Sequence, residues 1–116
     1  MTGRALFVAS CPVPGLPQII LSERRWLTHI VTQHTDMRGR EGQVEAVITG
    51  ATAALTGSNT SGTANPNYVI LINDRIVSAS GSPLCVVLDR QTAMVRTAYF
   101  NRSLRIVDKG RLLWRR

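Results

Sequence analysis

Histidine, cysteine, lysine and aromatic residues are all scarce in this sequence, and each scarcity closes off a class of protein. Two cysteines in 116 residues, Cys11 and Cys85, cannot build the disulfide framework of a small secreted scaffold. With only two histidines, no Cys/His set has the spacing of a zinc site, so neither a metal nor a cofactor is expected. Aromatic residues make up 5% of the chain, too few for a strand that binds RNA by stacking bases in series. No apolar run approaches the roughly 18–20 residues of a membrane-spanning helix, so no membrane partner is expected. The stretch Val8-Ala9-Ser10-Cys11 loosely resembles a lipoprotein cleavage box. The apolar run before it, Ala5-Leu6-Phe7-Val8, is shorter than the roughly 7–15 residues of a signal-peptide core. The expected site of action is the cytoplasm.

What the chain does have is arginine. Lysine plus arginine number 14 against 7 acidic residues, a net charge of +7, and Lys109 is the single lysine. Such an excess predicts attraction to a polyanion, and the planar guanidinium fork suits phosphate and carboxylate alike. RNA, DNA, anionic lipid and an acidic protein all qualify; charge by itself also fits a merely solvated surface. Hydrophobic residues at 44% provide for one modest core, and the length suits one domain.

Residues 1–17 hold Pro12, Pro14 and Pro17 and read as an extended arm, with a single α+β domain over 18–116. Gln18 to Leu21 reads as a strand-like lead-in. Ser22 is a plausible N-cap, with Glu23 placed at the positive end of the helix that follows. That helix should run to about His34, with Trp26, Leu27, Ile30 and Val31 on one broad face. Thr35 to Gly42 is a polar loop carrying Arg38 and Arg40. A second helix is expected from Glu41 or Gln43 to about Leu55, and a flexible loop from Gly57 to Asn67. The period then changes: 68–72, 84–88 and 94–100 are short runs rich in β-branched and aromatic residues, bounded by turn material. Arg75 to Ser78 and Leu104 to Val107 could add short strands, with a turn at Asp108-Lys109-Gly110 before Leu112-Leu-Trp114. The expected fold is α+β, two N-terminal helices packed on an antiparallel sheet of about four strands. Trp26, Ile30, Val47, Leu71, Val87 and Val95 are its expected core.

Both histidines fall on the first helix. At about 100° per residue, His34 lands in the middle of the apolar face and His29 at its border. A histidine in a last helical turn also answers the negative dipole end, a purely structural use. A pair of them beside an arginine-bearing loop fits cleavage of RNA without metal: a base for the 2′-hydroxyl, an acid for the leaving oxygen, and cations or hydroxyls on the phosphate. In the run 93–100 the two-residue period puts Val95, Thr97 and Tyr99 on one face, making Thr97 and Tyr99 neighbouring hydroxyls. Arg96 points away unless a bulge turns it.

The order of these pieces resembles the phage and polymorphic-toxin branch of the barnase/EndoU/colicin/RelE-like nucleases. The resemblance rests on Ile19-Ile-Leu-Ser-Glu-Arg-Arg-Trp26, His29-Ile30, His34, the second helix, Thr97-Ala98-Tyr99, Gly110 and Trp114. Its motifs are short, and Gln33 stands where the pattern often has arginine. It implies a metal-independent endoribonuclease, often a toxin acting on tRNA or other structured RNA and restrained by an acidic immunity or antitoxin protein. Carried over residue by residue, His29, His34, Thr97 and Tyr99 are the catalytic candidates; no fixed motif assigns the cation, and Arg38, Arg40 and Arg96 are the expected substrate-binding residues. The competing reading is a non-catalytic basic protein that binds nucleic acid or serves in a phage particle.

Overall fold

The computed structural model describes residues 4–58, 64–101 and 112–116. Two strands come first, β1 (Ala5–Ala9) and β2 (Ile19–Ser22). A helical stretch follows, α1 (residues 23–33), then a 3-10 turn over Thr35–Met37 and α2 (Glu41–Thr49). The rest is strand: β3 (Ala53–Ser58), β4 (Ala64–Ile72), β5 (Leu84–Asp89), β6 (Met94–Phe100) and β7 (Leu112–Arg115). All seven strands form one sheet in the order β1-β2-β6-β5-β4-β3-β7. Its neighbours are antiparallel except β2 and β6, which run parallel and meet at Ile20 and Met94.

The α+β class therefore holds, but the expected architecture does not. The helices sit mid-chain, after two strands, and the sheet has seven strands and is mixed. Two misread segments account for most of the difference. The stretch expected as an arm contains β1, which pairs with β2 from Ala9 opposite Ile19 to Ala5 opposite Ser22, with a register shift between Phe7 and Ala5. The prolines that suggested an arm all follow the strand. The residues expected to finish the second helix instead form β3. Gly50 closes α2 by donating to the Ala46 carbonyl, and Ala53, Ala54 and Leu55 are all buried. A strand covered on both faces loses its polar alternation, which leaves it indistinguishable by period from a helix end. The expected loop from 57 to 67 is likewise consumed at both ends by β3 and β4. Of the other expected strands, residues 75–78 yield only an isolated bridge between Val77 and Pro83. Leu104 to Val107 and the turn at 108–110 lie outside the described residues.

Apolar clusters occupy both faces of the sheet. On the helix side Trp26, Ile30, Met37, Val44, Val47 and Ile48 pack against Leu21, Leu71, Val86, Leu88, Val95 and Ala98. On the other side lie Ala53, Leu55, Ile70, Ile72 and Cys85, with Val87 and Tyr99 against them. Five of the six expected core residues are buried, and Val87 is half-buried on the second face.

Candidate functional site

The first helix begins as its sequence dictates. The Ser22 side chain caps it by accepting from the Arg25 amide at 3.1 Å, and Glu23 sits in the first turn. It does not continue as a regular α-helix. Trp26–Ile30 is a π-turn, flanked by Glu23–Arg25 and Val31–Gln33. Thr28 and Thr32 hydroxyls back-bond to the carbonyls of Arg24 (2.6 Å) and Thr28 (3.0 Å), competing with the helical ladder where it widens. The wider turn shifts everything after it. His34 leaves the apolar face expected for it, ends the helix at φ −129°, and stacks on Tyr99 with ring centroids 5.3 Å apart.

Strand β6 is shifted too, by a bulge. Val87 of β5 pairs with Thr97 while the next residue, Leu88, pairs with Val95, so Arg96 is the extra residue. Val95 faces the helix-side core, whereas Thr97 lies opposite Val87 on the other face, which Tyr99 shares. The expected common face of Val95, Thr97 and Tyr99 is thus broken at Val95, and the hydroxyl pair survives. The same bulge turns Arg96 toward that face, where its guanidinium lies 4.7 Å over the Tyr68 ring.

Beyond Met94, no strand among the described residues lies on the outer side of β6, and α1 takes that place. Arg25 Nε donates to the Arg96 carbonyl at 2.7 Å, fastening the helix to the bulge. Arg25, Arg96 and His34 all lie within electrostatic range of His29. Desolvation pushes the His29 pKa down from its ordinary value, and the charges of Arg25, Arg96 and His34 push it further the same way. The Arg25 pKa is also lowered, first by burial and then by Arg96, against a smaller opposing effect of Tyr68. Among the described residues, neither guanidinium has a carboxylate within ion-pair distance; the one ion pair joins Arg4 to Glu23 at 3.4 Å. Thr97 Oγ1 is buried with no hydrogen-bond partner.

The structure thus gathers His29, His34, Arg96, Thr97 and Tyr99 along one strand and one helix. It leaves Arg38 and Arg40 elsewhere. Arg38 lines a groove bordered by Leu27 and Val31, two positions along α1 from the Arg25–His29 ridge and so nearly opposite it. Arg40 lies over Phe100 at 5.3 Å and is tied to the Asp36 carbonyl and the Gln43 side chain. Arg25 and Tyr68 were not foreseen. For Arg25 a signal existed, since it precedes His29 by four positions and shares its helix face. Tyr68 had none, because its role depends on the bulge.

No group of three or more His, Cys, Asp or Glu side chains among the described residues is placed to hold a metal ion. What the cluster offers is an anion site. Two guanidiniums without acidic partners repel one another, and a bound phosphoryl group relieves that repulsion while accepting their hydrogen bonds. Comparison with family models, with curated proteins and with solved structures finds no match for this chain.

Proposed function

We propose that the protein is an endoribonuclease that cuts RNA by internal attack and needs no metal. The observation that carries this reading is the juxtaposition of Arg25, Arg96 and His29 without a neutralising carboxylate, beside the His34–Tyr99 stack. In the mechanism, the scissile phosphate lies between the two guanidiniums, and side-chain movement on RNA binding uncovers the buried Thr97 hydroxyl to donate to a nonbridging oxygen. His29, kept neutral by its surroundings, removes the proton from the 2′-hydroxyl. The 2′-oxygen bonds to phosphorus as the bond to the 5′-oxygen breaks. The leaving oxygen takes a proton from His34, which Tyr99 holds in place. The products are a 2′,3′-cyclic phosphate and a 5′-hydroxyl end. Arginines at the phosphate stabilise the charge that develops there.

The substrate class is tRNA or another structured RNA, and the biological role is that of a toxin restrained by an acidic partner protein. Both proposals rest on the positive charge and on the sequence resemblance. The test is incubation with total tRNA in EDTA, with gel analysis and identification of the new ends. Cyclic phosphate ends, lost in His29→Ala by roughly 100-fold or more, support the proposal. Tight salt-sensitive binding without cleavage would instead favour the basic binding module.

A further inference from the structure

A groove on the other side of α1 from His29 has a volume of about 620 Å³. This falls within the usual range for small-molecule sites, roughly 300–1,000 Å³. Its walls include Trp26, Leu27 and Val31, and its polar side chains are Glu23, Thr32, Thr35, Arg38 and Glu41. Glu23 is already paired with Arg4. Glu41 Oε1 is buried with no hydrogen-bond partner, and Arg38 has neither an ion pair nor a side-chain hydrogen bond among the described residues. A buried carboxylate oxygen without a donor is costly to maintain, and nothing in the described chain relieves it.

The groove's charges also bear on what it can hold. On a chain of net charge +7, its two carboxylates offset Arg38 and Arg4, so it is a poor place for a phosphate. A ligand that suits it is neutral, has two apolar faces, and carries hydrogen-bond donors and acceptors along one edge. A nucleobase meets each requirement: its faces lie against Leu27 and Val31, an N–H is given to Glu41, and a ring nitrogen or carbonyl oxygen accepts from Arg38.

We propose that this groove binds an unpaired base of the RNA whose backbone occupies the Arg25–Arg96 site. The choice of a nucleobase over another neutral heterocycle rests on the nuclease reading. Nucleosides, which lack phosphate, separate the groove from the anion site. The readouts are Trp26 fluorescence in a Trp114→Phe background and amide shifts of residues 27–41, during titration with adenosine, guanosine, cytidine and uridine. At least one nucleoside should perturb Trp26 with little dependence on salt, and Glu41→Gln should weaken it about tenfold. Arg38→Gln, at an exposed position where folding is not at stake, should also weaken it. Absence of any nucleoside response up to the solubility limit overturns the proposal. So does an unchanged response in both variants, or equal competition by inorganic phosphate. RNA cleavage measured alongside keeps the two readings apart. Cleavage without nucleoside binding removes the base site alone, and nucleoside binding without cleavage removes the nuclease alone.

Discussion

Arg25 Nε donates a 2.7 Å hydrogen bond to the main-chain carbonyl of Arg96, a residue 71 positions further along the chain. One bond thereby ties the first turn of α1 to the bulge in β6. It does so where the parallel contact between β2 and β6 has ended and the strand edge would otherwise be bare. Two cations are brought together with no acid between them among the described residues, an arrangement that favours an anion as third member.

Replacing Arg25 with Ala removes both the bond and a phosphate ligand. The stability loss should be about 1–2 kcal/mol, as for a charge-assisted hydrogen bond, measured by denaturant unfolding. The salt slope of RNA binding should fall by about 1. Arg25→Lys should keep the slope and lose the bulge contact, because an ammonium cannot reproduce the Nε geometry.

The His29 pKa gives a signed prediction. Its imidazole should titrate below the ordinary value of about 6.5, followed by its ring proton in NMR. Arg96→Gln removes one of the cations that lower it, so the value should rise, and the acidic limb of the pH–rate profile should move up with it. For stability, the unfolded chain takes up this proton first. The contribution of His29 is therefore full above about pH 6.5 and declines as the pH falls toward the lower folded value. The ring is partly exposed, so the stability change should be small and the rate change the clearer readout.

The grouping of the candidate residues was more legible in the sequence than the frame around them. His29, Thr97 and Tyr99 are recoverable because each lies on an element long enough to show its period. The frame depends on β1 and β3, one five residues long and the other buried on both faces, where period is silent. Two local insertions mattered more than any element boundary. The π-turn at Trp26–Ile30 redirected His34 from the core to Tyr99. The bulge at Arg96 converted an outward arginine into a site residue. The two meet where Arg25 Nε bonds to the Arg96 carbonyl, a contact across 71 residues that a one-dimensional pattern does not encode. Arg38 and Arg40 show the converse error: nearness to a histidine in sequence did not bring them to it in space.

Gly57 supports the site from below. A Cβ there would lie 2.6 Å from Tyr68 Cβ and 3.1 Å from its backbone carbon, so Tyr68 or the strand must shift. The pairing of β3 with β4 jumps at this point, from Thr56–Val69 to Gly57–Asn65, and Tyr68 passes over the glycine. Gly57→Ala should cost about 1–3 kcal/mol, the usual range for overpacking. It should also displace the Arg96 stack, lowering RNA affinity without touching any charge. A variant as stable as the parent would show that the strands yield there at little cost.

Thr97 separates a structural role from a chemical one. Its hydroxyl is buried and donates to nothing, so Thr97→Val, which keeps the branched shape, removes an unsatisfied polar group. Stability should hold or rise by up to about 1 kcal/mol, visible as an unchanged or higher Tm. If the hydroxyl serves only packing, RNA cleavage should be unaffected. If it donates to the phosphoryl oxygen as charge accumulates, turnover should fall by about 100-fold, with KM little changed because the bond strengthens only in the transition state. Greater stability together with lower turnover is the combination that marks a group held unsatisfied for its substrate, and full turnover in a folded Thr97→Val protein would remove Thr97 from the mechanism.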